Sequence, residues 1–179
     1  MLEAVDDIQV ASKLWLIDEL GRLTDVADSE LLVLGAWYGV LPLLLTLRLE
    51  RTPKRTVCVD FDPDACRLGE KVIGSMVPNV EYRCADVMDY DYEAWGRRPG
   101  TIVVNTICEH LPDLERWWGR IPPGQLVVLQ SNNYAACPDH VNCARSLADM
   151  KEQTPLSEVL FEGVLPLSLF DRFMIIGRR

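Results

Sequence analysis

The chain has 179 residues, of which 49% are hydrophobic and 25% are charged, a balance typical of a folded globular domain. Its formal net charge of −9 disfavours nucleic acid as a partner, because such binding begins with cations that neutralise phosphates. No apolar run reaches the ~20 residues that span a bilayer, and the acidic start around Glu3 lacks the features of a signal peptide. Six cysteines without a CxxC pair indicate reduced thiols. We therefore expect one cytoplasmic domain over residues 1–179, with no membrane partner and with an oligomeric state that the sequence leaves open.

Apolar residues recur at helical spacing over residues 6–23, which predicts an N-terminal helix that stops at Gly21. We expect residues 1–27 to form a helical cover over the rest of the domain. Further along the chain, short apolar or alternating runs predict strands, and the segments between them predict helices. The predicted strands span 31–35, 56–60, 79–84, 101–105, 125–130, 159–162 and 173–176, and the predicted helices span 40–50, 64–77, 114–118 and 147–153.

Strands and helices alternate at the spacing of βαβ units, which predicts an α/β fold. In this fold a doubly wound, mainly parallel sheet carries helices on both faces. The last two strand-like runs leave no room for a helix between them, so we expect an antiparallel hairpin at the edge of the sheet. The long connection over 134–155 is typical of a lid at the ligand-binding end.

Turn-forming or polar residues close five successive predicted strands. They are the turn from Gly35 to Gly39, then Asp60, Asp86, Asn105 and the group 131–133. Ligands of open parallel sheets bind at the carboxyl ends of the strands, so these residues mark a binding edge. Asp60 follows the glycines at the distance where an acid accepts hydrogen bonds from ribose hydroxyls.

The same segments resemble the motifs of the class I S-adenosylmethionine-dependent methyltransferases. The resemblance covers residues 28–179. It rests on Leu34-Gly-Ala-Trp-Tyr-Gly39, Val57-Cys-Val-Asp60, Ala85-Asp-Val87, Asn105-Thr-Ile-Cys-Glu-His-Leu-Pro-Asp113 and Pro123-Gly-Gln-Leu-Val-Val128. It implies a Rossmann-like sheet of seven strands with an antiparallel last strand, and S-adenosylmethionine as the cofactor.

The resemblance also assigns the cofactor contacts. The expected cofactor-binding residues are Gly35, Ala36, Trp37, Gly39, Asp60, Phe61, Asp86, Val87 and Asn105. Asp60 would hold the ribose hydroxyls, Asp86 the adenine amino group, and Asn105 would lie near the sulfonium. Two positions depart from the family pattern, since Val33 replaces an acid and Trp37 replaces a middle glycine. These departures imply either a differently held amino acid moiety or a weaker cofactor site, and the retained acids favour the former.

Acceptor chemistry is expected around the ends of the fourth and fifth strands. The candidate catalytic residues are Asn105, Glu109, His110, Asn132 and Tyr134. Glu109 or His110 can act as a base, and the amide and hydroxyl groups can orient an acceptor. Each also has a structural interpretation, as a local packing or turn-stabilising residue.

A metal site is the other possibility in this region. Cys108-x-His110 and His140-x-x-Cys143 could supply four zinc ligands. Their spacing matches no recognised zinc motif, so no metal is expected. His140 is interpreted as a surface or structural residue of a loop.

The favoured function is methyl transfer from S-adenosylmethionine to a small-molecule acceptor, since the chain has no room for a dedicated target-recognition domain. One alternative uses S-adenosylmethionine itself as substrate, with cyclisation or elimination of its aminobutyrate chain and release of methylthioadenosine. A second is a non-catalytic methyltransferase-like protein that binds a partner through Trp117 and Trp118. A third alternative is an NAD-type oxidoreductase, but the sequence lacks the second nucleotide-binding half that is typical of that class.

Overall fold

The structure, a computed structural model, describes residues 6–49 and 51–179. The described residues form two compact units. The first unit contains the residues up to Tyr90 together with Gly100–Val103, and the second contains Asp91–Pro99 and Val104–Arg179. The assignment of residues 1–179 to one domain, with a helical cover over 1–27, remains a prediction, and residues 1–5 of that cover lie outside the described part.

Helices and strands alternate along most of the chain, as the sequence predicts. The strands are β1 (Glu30–Leu34), β2 (Arg55–Asp60), β3 (Val80–Cys84), β4 (Thr101–Asn105), β5 (Leu126–Asn132), β6 (Glu158–Pro166) and β7 (Asp171–Arg178). The helices are α1 (Asp7–Leu23), α2 (Val40–Arg48), α3 (Pro63–Val72), α4 (Tyr92–Gly96), α5 (Leu114–Arg120) and α6 (Leu147–Gln153). Short 3₁₀ turns lie at Val26–Asp28 and Cys108–His110.

The strands form a seven-stranded mixed sheet in the order β3-β2-β1-β4-β5-β7-β6. β1 pairs in parallel with β2, and β2 in parallel with β3. β7 runs antiparallel to both β5 and β6. The predicted fold class, with its antiparallel last strand and its hairpin edge, is confirmed.

The core of the first unit is built on β1 and β2, whose apolar side chains are buried. Near-continuous apolar runs are the pattern expected for strands covered on both faces. The helices start at residues that cap them: Asp6 accepts a hydrogen bond from the N–H of Gln9, and Asp62 precedes Pro63 in the first turn of α3. These caps fix the residues at which α1 and α3 begin.

The second unit buries both tryptophans of α5. Trp117 is fully buried and donates a 2.9 Å hydrogen bond from Nε1 to the hydroxyl of Tyr92, and Trp118 is 7% exposed. Both indoles therefore belong to the core, whereas partner binding through Trp117 and Trp118 would need at least one of them to be exposed. The partner-binding alternative loses the surface on which it depended.

Several helices end at residues other than the predicted ones. α1 continues past Gly21 to Leu23. α3 ends at Val72 rather than at residue 77, because Gly74 and Ser75 are poor helix formers. α2 ends at Arg48, and Glu50 of the predicted helix lies outside the described residues. α4 has no counterpart in the prediction.

The cysteines among the described residues are unpaired. Cys58, Cys66 and Cys108 are buried. Burial raises the pKa of Cys58 to about 12 and that of Cys66 to about 11, so both thiols stay protonated at neutral pH. In the described part of the chain, no helix is both long enough and apolar enough to cross a bilayer.

Candidate functional site

The turn after β1 has the tight, left-handed backbone that its glycines predict. Gly35 has a φ of 59° and Gly39 a φ of 81°, and between them Trp37 has a φ of 48°. The N–H of Gly39 donates a 2.8 Å hydrogen bond to the carbonyl of Ala36, whose own N–H bonds to Val59 at 3.1 Å. Gly39 then serves as the N-terminal cap residue of α2. The turn thus connects the end of β1 to the start of α2 within five residues.

Asp60 connects this turn to the end of β2. Its carboxylate accepts a 2.7 Å hydrogen bond from the N–H of Trp37 and a 3.0 Å hydrogen bond from the N–H of Asp62. The residue is 8% exposed. Gly35 and Asp60 lie 25 positions apart in the sequence. The hydrogen bond from Trp37 therefore joins the glycine turn to the predicted ribose-binding acid.

The other predicted cofactor residues of the first unit follow β2 and β3. Phe61, directly after Asp60, is 80% exposed. Asp86 is exposed and accepts a 2.8 Å hydrogen bond from the N–H of Met88, while Val87 is buried. An exposed aromatic face and an exposed carboxylate are groups that can stack on and hydrogen bond to a purine.

Tyr82 is a residue that the sequence analysis did not single out. Its hydroxyl donates to the carbonyl of Tyr38 at 3.3 Å, and a β-carbon added to Gly39 or Gly69 would overlap its ring or hydroxyl. Burial raises the pKa of Tyr82 above its ordinary value, so the hydroxyl remains a donor. The alternating pattern of β3 could have indicated an inward-facing Tyr82, but not its glycine partners.

In the second unit, Asn105 ends β4 as predicted and is fully buried. Its Oδ1 accepts a 2.9 Å hydrogen bond from the N–H of Ile107, and its Nδ2 has no hydrogen-bond partner. A buried amide donor without a partner is costly, which makes it a candidate for a bound molecule to satisfy.

Glu109 lies at the centre of a buried polar network. One carboxylate oxygen, Oε1, accepts a 2.6 Å hydrogen bond from Asn132 Nδ2 and forms an ion pair with Arg172. Arg172 also donates from its other terminal nitrogen to the carbonyl of Thr106 at 2.7 Å. The side chains of Arg172 and Glu109 are 7% and 3% exposed. The structure therefore brings the predicted Glu109 and Asn132 together.

Arg172 is the second residue that the sequence analysis missed. It precedes the apolar run 173–176, and a single cation at the start of a buried strand could have signalled a buried anionic partner. Nothing in the sequence indicated that this partner is Glu109, 63 residues earlier.

The position of Asn132 differs from the prediction. Ser131 and Asn132 lie inside β5 rather than after it, because they pair with Phe173 and Arg172 of β7. Asn132 is the last residue of β5, at the carboxyl end of the strand, and its Oδ1 accepts a 2.9 Å hydrogen bond from the N–H of Tyr134.

Both histidines of the chain meet beside this network. The rings of His110 and His140 lie 4.7 Å apart at an interplanar angle of 88°. His110 Nδ1 lies 3.1 Å from the carbonyl of Asp139, and His140 Nδ1 lies 2.9 Å from the carbonyl of Tyr134. Tyr134 in turn stacks on Phe170 with ring centroids 5.6 Å apart. His140, expected to be a structural loop residue, thus joins the candidate catalytic His110 and Tyr134.

No family model and no curated protein matches the chain. Solved structures do match it. The N-methyltransferase NodS from Bradyrhizobium japonicum WM9 is 15% identical, with a TM-score of 0.67 over 98% of both chains. NodS in complex with S-adenosyl-L-homocysteine has a TM-score of 0.67 at 14% identity, over 98% of this chain and 90% of that chain.

Two further structures support the same likeness. The N-terminal domain of EvdMO1 with S-adenosylhomocysteine bound is 18% identical, with a TM-score of 0.59 over 91% of this chain and 80% of that chain. YcgJ from Bacillus subtilis is 12% identical, with a TM-score of 0.68 over 94% of this chain and 99% of that chain. Together with the strand order, these likenesses show that the chain has the Rossmann-like fold of the class I S-adenosylmethionine-dependent methyltransferases.

Proposed function

We propose that this protein transfers the methyl group of S-adenosylmethionine to a small-molecule acceptor. The observation that carries the proposal is the 2.7 Å hydrogen bond between Trp37 N–H and Asp60, which joins a left-handed glycine turn to a buried strand-end acid. The fold supports it, since NodS and the EvdMO1 domain share the fold and were crystallised with S-adenosylhomocysteine.

Cofactor binding is assigned to the first unit. The turn from Gly35 to Gly39 lets a ligand approach the backbone, and Asp60 can accept hydrogen bonds from ribose hydroxyls through its remaining lone pairs. Phe61 offers its exposed ring to adenine, and Asp86 its carboxylate to the adenine amino group. Ala36, Trp37 and Val87 are the further cofactor contacts proposed in the first unit.

Acceptor binding is assigned to the second unit. In methyl transfer, an acceptor lone pair forms a bond to the methyl carbon while the carbon–sulfur bond breaks and its electrons return to sulfur. The protein therefore has to align the acceptor and, for a protonated acceptor, to take up a proton. Asn105 Nδ2 and Tyr134 are the proposed positioning groups, and Nε2 of His110, whose Nδ1 faces the carbonyl of Asp139, can accept the proton. Glu109 is held by Arg172 and Asn132, so we propose that its role is to position the neighbouring side chains.

A small acceptor is proposed because of the charge of the chain. A net charge of −9 opposes a polyanionic acceptor such as a nucleic acid.

The experiment follows an isotope-labelled methyl group. The protein is incubated with labelled S-adenosylmethionine and, separately, with the small-metabolite, protein and nucleic-acid fractions of one lysate, and the products are identified by mass spectrometry. We expect S-adenosylhomocysteine to form only with the small-metabolite fraction, together with a labelled metabolite. Label in protein or nucleic acid would contradict the small acceptor. Methylthioadenosine formed without any acceptor would contradict methyl transfer and make the cofactor the substrate.

A further inference from the structure

Three side chains of the second unit form a group of metal-ligand type. Glu109, His110 and His140 each offer one donor atom, and these atoms all lie within 4.8 Å of one another. Glu109 and His110 follow β4, and His140 follows β5, so the group depends on the fold and not on a local sequence motif.

The hydrogen bonds of the two imidazoles fix which ring nitrogen is available. In each ring, Nδ1 faces a backbone carbonyl, that of Asp139 for His110 and that of Tyr134 for His140. A carbonyl can only accept, so Nδ1 carries the hydrogen and Nε2 of the neutral ring keeps its lone pair. Metal-binding histidines in proteins are held in this way, by a backbone carbonyl or carboxylate on the other nitrogen.

The carboxylate of Glu109 supplies an independent observation. Its Oε2 is buried and has no hydrogen-bond partner, although the side chain is only 3% exposed. Arg172 and Asn132 bind the other oxygen, Oε1, and thereby fix the direction in which Oε2 points. A buried carboxylate oxygen without a partner is costly, and a cation would satisfy it.

We propose that Glu109, His110 and His140 form a three-ligand site for a divalent transition-metal ion of the zinc type. Two imidazoles and one carboxylate match the donors that zinc takes, whereas magnesium and calcium prefer oxygen ligands alone. Three protein ligands leave one tetrahedral position open, as in catalytic zinc sites.

The donor atoms have to draw closer when an ion binds, because zinc bonds are about 2.0–2.2 Å long. His110 is exposed, so its ring can move towards the ion without disturbing the core. The carboxylate of Glu109 separates the ion from the guanidinium of Arg172, since each would contact a different oxygen. With the ion bound, His110 is a ligand and no longer a proton acceptor.

The thiols considered in the sequence analysis do not belong to this group. Cys108 is buried with Sγ directed to the carbonyl of Asn105, and Cys143 Sγ contacts Asn132 Oδ1 at 3.9 Å. Among the described residues, the group therefore has nitrogen and oxygen donors. This difference gives the proposal a spectroscopic test.

The test is a titration of metal-free protein with Co²⁺, followed by visible absorption and then by competition with Zn²⁺. We expect the d–d bands of low-coordinate cobalt, no thiolate charge-transfer band in the near ultraviolet, and displacement by zinc. His110→Gln and His140→Gln are each expected to weaken binding by about 100-fold or more, since loss of an outer partner alone costs about 10- to 100-fold. His110 is exposed, so its variant should keep the fold, which circular dichroism checks.

Cys143→Ser is the matched control, because it removes a neighbouring soft ligand while leaving the three proposed donors. Its cobalt spectrum and affinity should equal those of the unaltered protein. Cobalt bands that persist in both histidine variants, or a thiolate band that disappears in Cys143→Ser, would overturn the proposal, as would the absence of binding. The titration needs neither S-adenosylmethionine nor an acceptor, so a failure of metal binding would leave the proposed methyl transfer standing.

Discussion

The carboxylate of Asp60 accounts for the unusual residue in the glycine turn. Trp37 has a positive φ, which costs a side-chain-bearing residue about 1–2 kcal/mol. Its N–H donates to the charged carboxylate of Asp60, and hydrogen bonds to charged groups contribute about 1.5–3 kcal/mol. The hydrogen bond therefore offsets the strained backbone, and the turn keeps its shape without a glycine at Trp37.

At Gly39, both the left-handed backbone and the neighbouring Tyr82 side chain require glycine. We expect Gly39→Ala to lower the free energy of unfolding by more than about 2 kcal/mol, since the left-handed φ alone costs about 1–2 kcal/mol and the new β-carbon overlaps Tyr82. The cost should be smaller in a Tyr82→Phe background, where the overlapping hydroxyl is gone. Urea denaturation of the four proteins in this cycle measures the coupling. Equal costs in the two backgrounds would show that Tyr82 does not limit the site.

Arg172 is expected to be a large contributor to the stability of the second unit. Arg172→Met leaves the buried Glu109 carboxylate without its cation, which should cost about 3–5 kcal/mol. Arg178→Met on the same strand is the matched control. Arg178 and its partner Glu158 are half exposed, and an exposed pair contributes about 0–1 kcal/mol. Denaturant midpoints of both variants give the comparison, and similar losses would mean that burial of the Arg172 pair is not what matters.

At the scale of the elements, α6 begins with a small network of caps. Ser146 accepts a hydrogen bond from the N–H of Asp149, and Asp149 accepts hydrogen bonds from the backbone and the guanidinium of Arg145. The side-chain hydrogen bond from Arg145 is the main cause that lowers the pKa of Asp149 to about 2. The helix start is thus tied to an ionised carboxylate.

This network predicts a pH dependence. Because the pKa of Asp149 is lower in the folded protein than in the unfolded chain, its stabilising contribution is complete above about pH 4 and is lost as the pH falls towards 2. Asp149→Asn should therefore destabilise the protein by about 1 kcal/mol at pH 7 and by much less at pH 2. Urea denaturation at the two pH values tests this. A loss that is the same at both would assign the effect to packing and not to charge.

The sequence predicts those elements whose signals are local. β4 and α6 have the predicted bounds, because an apolar run closed by Asn105 and a capped amphipathic segment need no distant partner. The end of β5 could not be predicted in this way. Ser131 and Asn132 are polar, and they become strand residues only through pairing with β7. Tertiary pairing there overrides local preference.

At the scale of the whole molecule, the candidate site also combines residues that the sequence predicts with residues that it does not. Strand-end residues such as Asp60 and Asn105 could be located from chain order, because the carboxyl ends of parallel strands bind ligands. Arg172, Tyr82 and the meeting of the two histidines could not, since each depends on contacts between segments far apart in the sequence. The fold was therefore largely predictable, and the buried partners of the site residues were not.

The net charge belongs to this scale as well. A charge of −9 spread over 179 residues repels polyanions, while a cofactor with a sulfonium and an ammonium group is not repelled. The charge is consistent with the proposed cofactor and acceptor class.

The central claim is that S-adenosylmethionine binds through Asp60, and calorimetric titration with S-adenosylhomocysteine tests it most directly. We predict that the unaltered protein binds, and that Asp60→Asn binds about 10- to 100-fold more weakly, the equivalent of one hydrogen bond to a charged group. Asp64→Asn, an exposed acid of the adjacent helix, should leave the affinity unchanged. No binding by the unaltered protein, or equal affinity in the folded Asp60→Asn variant, would contradict the account.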